Sequence, residues 1–224
     1  MLPPGRVVGD QDRGTVAFVS YASTPVLQHA GVRLEPLSHA HHDDLVAAAE
    51  VNDLHRTWYT SVPNRETMAQ EIDRRLKLHV EERMAPWAII HPRNGRALGM
   101  TTFCNLAPEH GRLEIGYTWM AHYAQGTGVN PAMKLLMMQR AFEELHCTCV
   151  QFRTDWHNHQ SRAAITRLGA KQDGVLRNDR IRPDGTLRDT VVFSVLGTEW
   201  PSVRRGLQGR LERWEMRNRQ ELEG

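Results

Sequence analysis

Between residues 31 and 219 the apolar positions change period several times, and each change predicts an element. Val32 to Leu37 alternates as a first strand, and Ser38 is placed to cap a helix through Leu45 to Glu50. Asp43 and Asp44 fall early in that helix, where its dipole favours acids. Asn64 is placed to cap a second helix, whose Met68, Ile72, Leu76 and Val80 recur every four residues. Three strands follow, over Trp87–Ile90, Ala97–Leu106 and Leu113–Met120, joined by turn residues Pro92–Gly95 and Pro108–Gly111. Next come a helix Pro131–Leu145, a strand Cys147–Thr154 and a helix Asn158–Leu168 closed by Gly169. Val175–Arg177 and Thr190–Leu196 read as two last strands, and Pro201 to about Arg219 as a final helix with Val203, Leu207, Leu211 and Trp214 on one stripe. No repeat or linker interrupts this order, which predicts one mixed α/β domain over residues 31–200 and a C-terminal helix and tail over 201–224. Residues 1–30, rich in Gly and Pro with one apolar run at Val16–Val19, read as a leader or an arm that docks on the domain.

Composition narrows the class. The chain has 224 residues, 40% hydrophobic and 24% charged, enough for a sizeable core and wrong for a disordered chain. Basic and acidic residues number 28 and 26, so no global field favours nucleic acid or an acidic membrane. Only three of the basic residues are lysines: Lys77, Lys134 and Lys171. Three cysteines, no secretory start and no run near the ~20 apolar residues of a membrane span point to a soluble, reduced, cytoplasmic protein. His146, Cys147, Cys149, His157 and His159 are residue types that bind zinc, but their spacing fits no common zinc site, and no metal is expected. The six arginines of the final helix are offset by glutamates, which argues for a solvated face or a cover over a partner subunit rather than a nucleic-acid surface.

The chemistry is concentrated after the third central strand. Glu114 to Pro131 runs strand, glycine-bearing turn, helix start. Pro131 suits the first helical position, and it biases Asn130 toward the extended conformation of an N-cap. Gly126 and Gly128 let the backbone lie flat with amides turned outward. Unpaired amides at a positive helix end make an anion site, and a pyrophosphate is the natural guest. A Gly-Lys-Ser/Thr phosphate loop is absent, as is the third glycine of a dinucleotide fingerprint.

Gln125-Gly-Thr-Gly-Val-Asn130 resembles the Gln/Arg-x-x-Gly-x-Gly/Ala loop of the GNAT superfamily of N-acetyltransferases, with Asn130 in place of the last small residue. Leu54–Tyr59, Glu114–Trp119, Thr154–Asn158, Ser161–Ile165 and Leu168–Ala170 are similar, in order, to segments of its ribosomal-protein branch. The resemblance covers roughly residues 31–200. It implies a single-domain fold with a central, mostly antiparallel, splayed mixed sheet of about seven strands flanked by helices. It also implies transfer of an acetyl group from acetyl-CoA to a primary amine, on a protein N-terminus or a small molecule.

The resemblance assigns Gln125, Gly126, Thr127, Gly128, Val129 and Asn130 to the coenzyme pyrophosphate, and Asn158 to a further coenzyme contact. A backbone amide near Trp119 or Met120 polarises the thioester, an oxyanion-hole role. Glu114 is the candidate base, with a structural pairing to an arginine such as Arg112 as its alternative. Ser161 is the candidate acid, with Tyr117 or Tyr123 as substitutes; Asn158 and Ser161 also fit a plain helix cap. Trp58 and Tyr59 line the acceptor pocket or simply pack. Arg162, Arg167 or Lys134 are available to the coenzyme 3′-phosphate. A coenzyme A-binding regulator without turnover, transfer of a larger acyl group such as succinyl, and a homodimer built on the final helix and leader remain alternatives at this point.

Overall fold

The computed structural model describes residues 19–29, 31–182 and 184–223. Within these, eight strands form one sheet: β1 (Leu27–His29), β2 (Val32–Pro36), β3 (Ala85–Ile90), β4 (Ala97–Ala107), β5 (Arg112–Met120), β6 (Cys149–Asp155), β7 (Lys171–Ile181) and β8 (Leu187–Leu196). Their spatial order is β1-β2-β3-β4-β5-β6-β8-β7. Every neighbouring pair is antiparallel except β5 and β6, which run parallel and pair only over Arg112–Cys149, Leu113–Val150 and Glu114–Gln151. Beyond those three residues the two strands diverge, and the sheet opens into a cleft.

The seven predicted strands are all present. The eighth, β1, lies in the predicted arm. Three residues are too few to show a period; β1 is held by its ladder to β2 rather than by its own pattern. Tyr21 just before it is buried, and its hydroxyl donates to the Leu145 carbonyl at 3.0 Å, so this part of the arm is docked. Val16–Phe18 lie outside the described residues.

Helices α1 (His42–Glu50) and α2 (Met68–Val80) cover one face of the sheet, where Leu45, Met68 and Ile72 pack on Ala88, Ile90 and Met100. Ser38 caps a short 3-10 turn, His39–His41, ahead of α1 rather than α1 itself. Asn64 turns the chain into α2 by accepting from the Glu66 and Thr67 amides, and the predicted α2 stripe runs out into solvent at Val80. The other face carries α3 (Val129–Gln139), α4 (His159–Arg167) and α5 (Trp200–Glu223) over the larger core. Val203, Leu207 and Leu211 of α5 are buried in this chain's own core, each contributing about 1.5–3 kcal/mol. The strand predicted from Cys147 begins at Cys149, because the Cys147 amide donates back to the Ala141 carbonyl of the π-helical turn Arg140–Glu144 and the Thr148 amide to the Gly111 carbonyl.

Candidate active site

A cavity of about 340 Å³ opens where β5 and β6 part. Glu114, Gly116, Tyr117, Thr118 and Trp119 line it from β5, and Phe152, Arg153, Thr154 and Asp155 from β6. Trp58, Tyr59, Asn158 and Ser161 line it as well. The topology therefore brings together the predicted base, the predicted acid and the predicted acceptor aromatics. Tyr123 is exposed in the turn that follows β5 and does not line the cavity.

A bulge in β5 aims the strand. Met100 pairs with Trp119 but Thr102 with Gly116, so Tyr117 and Thr118 together face Thr101. Tyr117 takes φ = +47°, a costly angle for an aromatic residue. Arg75 of α2 holds it there. The buried Arg75 guanidinium donates to the Tyr117 carbonyl at 3.0 Å, to Thr102 Oγ1 at 2.8 Å and to Glu71 Oε1 at 2.7 Å. Arg75 is only weakly marked in the sequence, as a cation among the apolar positions of α2.

Glu114 is buried, and its Oε2 accepts from Asn105 Nδ2 at 2.7 Å. Arg153 Nε lies 3.5 Å from the same oxygen. The arginine beside Glu114 is thus Arg153 from the neighbouring strand, and Arg112 is exposed at the strand start. Burial raises the Glu114 carboxyl above the ordinary range, partly opposed by Asn105 and the arginines around it. A Cβ on Gly116 would come within 2.9 Å of Glu114 Oε1 and of Cys104 Sγ, so the missing side chain leaves space for this carboxylate.

Asn158 acts as the cap of α4: its side chain accepts from the Ser161 amide at 2.9 Å. Ser161 is half-buried and lines the cavity. Trp58 is exposed at the mouth, 5.2 Å from the His157 ring and 5.1 Å from the Arg182 guanidinium. Tyr59 meets Trp58 edge-on.

The glycine loop sits at the start of α3, adjacent to the cavity. Gly126 has φ = +74° and open space where a Cβ would point. The helix begins two residues earlier than Pro131 indicates: Gly128 is the N-cap and Val129 the first helical residue. Thr127 Oγ1 accepts from the Val129 amide at 3.2 Å and sets that turn, so Asn130 is helical and does not cap. Pro131 is tolerated in the first turn, where amides have no helical partner. Among the described residues, the amides of Gly126, Thr127, Gly128 and Asn130 donate to no protein acceptor. That uncapped cradle fits a pyrophosphate. Gln125 fixes the loop, donating to the Met120 carbonyl at 3.1 Å and accepting from Gln160 of α4 at 2.9 Å. Val129 and Met120 are buried below it.

None of the three cations suggested for a phosphate lines the cavity. Lys134 is buried between the diverging strands, with Nζ 3.2 Å from Thr118 Oγ1. Arg162 lies over the Trp156 ring and donates to its carbonyl, and the Arg167 carbonyl accepts from Arg210 of α5. No cluster suited to a metal occurs among the described residues. No helix among them is long and apolar enough to cross a membrane.

Comparison with known proteins agrees with this geometry. Residues 32–171 match the family model of the acetyltransferase (GNAT) domain. Bacillus subtilis YdaF, named as a candidate ribosomal N-acetyltransferase, is 34% identical over 107 residues, covering 48% of this chain and 57% of its own. The chain thus spans just over half the length of that curated relative. A crystal structure from T. thermophilus, described as that of a candidate acetyltransferase, is 34% identical, with TM-score 0.75 over 85% of this chain and 99% of that one. The fold is shared with Mycobacterium smegmatis RimJ, determined with CoA-disulfide, at TM-score 0.70 and 19% identity over 85% of this chain and 96% of that one. The opened β5–β6 pair, the uncapped loop ahead of α3 and the matched domain make this chain a member of the GNAT acetyltransferase family, an N-acetyltransferase that uses acetyl-CoA.

Proposed function

We propose that the acceptor is the primary amine at a peptide or protein N-terminus, that Glu114 takes its proton, and that Ser161 protonates the departing thiolate. The observation that carries this reading is the buried Glu114 carboxyl in a cavity that Ser161 also lines. The likeness to a protein named for ribosomal N-acetylation supports the choice of acceptor.

Acetyl-CoA supplies the activated acyl group. The loop amides of Gly126, Thr127, Gly128 and Asn130 hold its pyrophosphate, with Gln125 bracing them. Asn158 contributes through the α4 turn that it caps. The bulge at Tyr117 sets the direction of the Trp119 and Met120 backbone toward the acyl oxygen. Trp58 and Tyr59 receive the acceptor. In the reaction the amine nitrogen forms a C–N bond as the C–S bond breaks; the proton lost by nitrogen leaves through Glu114, and sulfur takes one from Ser161, which recovers it from solvent.

Holding both reactants together is worth ~7–11 kcal/mol, whereas one acid or base contributes ~10²–10⁴ in rate. Damage to the loop should therefore cost at least as much as loss of Glu114. The three cysteines are free thiols, which suits a reducing compartment such as the cytoplasm. The test is thiol release from acetyl-CoA with a panel of N-terminal peptides, for wild type and Glu114→Gln. The base role predicts a rate loss of about 10²-fold or more and removal of an acid limb that, because burial raises the carboxyl, lies above the ordinary carboxylate range. A rate unchanged from pH 6 to 9 removes Glu114 from the mechanism.

A further inference from the structure

The acceptor end of the cavity carries more positive charge than the chain neutralises. Four arginines line it: Arg153 from β6, Arg180 from β7, Arg182 just after β7, and Arg188 from β8. Among the described residues, the only carboxylates in the same lining are Glu114 and Asp155. Asp155 is buried and its Oδ2 is taken by Arg182 at 2.6 Å, with Arg188 Nε 3.7 Å away. Arg180 is 3.5 Å from Asp179, outside the lining.

Two of these guanidinium groups have only long ion-pair contacts, Arg153 with Glu114 at 3.5 Å and Arg188 with Asp155 at 3.7 Å. Among the described residues, neither Arg153 nor Arg188 donates a hydrogen bond to the protein, and the Nε of each is fully buried. Their side chains are only 29% and 22% exposed. Arg180 and Arg188 also stand directly opposite one another in the β7–β8 ladder, a like-charge pairing that destabilises a sheet. A half-buried cation with no hydrogen-bond acceptor and a cross-strand pair of like charges both cost stability. An oxyanion bound between them relieves both costs, since a guanidinium fork matches the geometry of carboxylate and phosphate. The coenzyme pyrophosphate is not that anion on this geometry, because the loop from Gln125 to Asn130 lies outside the lining that the arginines share.

From this we infer that the acceptor carries an anionic group, a carboxylate or a phosphate, close to its reacting amine, and that Arg153 and Arg188 bind it. The inference rests on the acetyl-transfer reading above and names the substrate class for the same site.

The experiment compares kcat/KM for matched amines by thiol release from acetyl-CoA. One set is a series of N-terminal serine peptide amides with Ala-Ala, Asp-Asp, phosphoserine-Ala or Lys-Lys at positions two and three. The other set is ethanolamine against O-phosphoethanolamine. The expected result is an anionic-over-neutral ratio of about 10–100 in at least one set, the range of one charge-assisted contact. That ratio falls toward 1 in Arg188→Gln and Arg153→Gln and is retained in Arg188→Lys. Whether the carboxylate or the phosphate member is favoured identifies the source of the anion. Turnover with equal or lower efficiency on every anionic member overturns the inference and leaves acetyl transfer standing. So does a ratio that both glutamine variants preserve, or an effect confined to the KM of acetyl-CoA. No thiol release from any amine, with acetyl-CoA still bound by calorimetry, overturns the acetyl-transfer reading itself.

Discussion

Replacing Lys134 with methionine should stabilise the protein, and by an amount that depends on pH. Lys134 lies on α3 at 5% exposure, its ammonium 3.2 Å from Thr118 Oγ1 on β5 and 5.6 Å from the centre of the Phe152 ring on β6. Both contacts fall beyond Glu114–Gln151, the last paired residues of the parallel ladder, so the side chain fills the space that opens as the strands part. Among the described residues it has no carboxylate partner, and burial lowers its pKa from 10.5 to about 7. The unfolded chain therefore binds more protons than the folded one between these values. Stability of the wild type must rise with pH across that window, and the cost of burying the charge is fully present below pH 7. At 1.36 kcal/mol per pKa unit the full cost is roughly 5 kcal/mol, and roughly 3 kcal/mol of it disappears between pH 6.5 and 9.5. Urea unfolding of wild type and Lys134→Met at several pH values across this range measures the gap directly, because other titrating groups cancel in the difference. A gap that stays constant within about 1 kcal/mol would refute the account of Lys134 as a charge forced into the splay. Methionine keeps the length and fills the same space, so loss of packing does not confuse the sign.

Other perturbations probe the supports of the site. Gly116→Ala should push the Glu114 carboxylate away from Asn105 and lower kcat by about 10²-fold with little change in the KM of acetyl-CoA, measured by steady-state kinetics. Arg75→Met frees the Tyr117 carbonyl and leaves Glu71 paired with Arg74 alone; a stability loss of about 1.5–3 kcal/mol by urea unfolding is expected, together with reduced kcat, and a loss below about 1 kcal/mol contradicts the role. A Cβ on Gly128 would lie 2.6 Å from the Trp214 ring of α5, so Gly128→Ala should raise the KM of acetyl-CoA several-fold, with Trp214→Ala in the same chain restoring it.

What could be read from the sequence was local, and what could not was set by which strands become neighbours. The turn from Gln125 to Gly128 is legible because glycine flexibility and an uncapped helix start are properties of adjacent residues. Even there Pro131 misplaced the helix start by two residues, since a threonine hydroxyl at position 127 set the turn first. The burial of Lys134 has no local trace, because lysines rarely lie in a core. Only the divergence of β5 from β6 creates an interior that holds it. Arg75 reaches Tyr117 across 42 residues of chain, a contact with no periodic trace.

The four cavity arginines are the clearest case. They fall within residues 153–188, and nothing in the spacing of an arginine-rich chain marks them as a group. They converge because β8 inserts between β6 and β7, which sets Arg188 opposite Arg180 and brings the strand of Arg153 alongside. That strand order does not follow chain order, and it turns scattered surface cations into one pocket of excess charge. Selectivity for the acceptor is therefore a property of the sheet topology as much as of any single residue. Replacing Arg188 with Gln removes a cation from that pocket while its β-strand position is retained, which is why it separates charge recognition from folding.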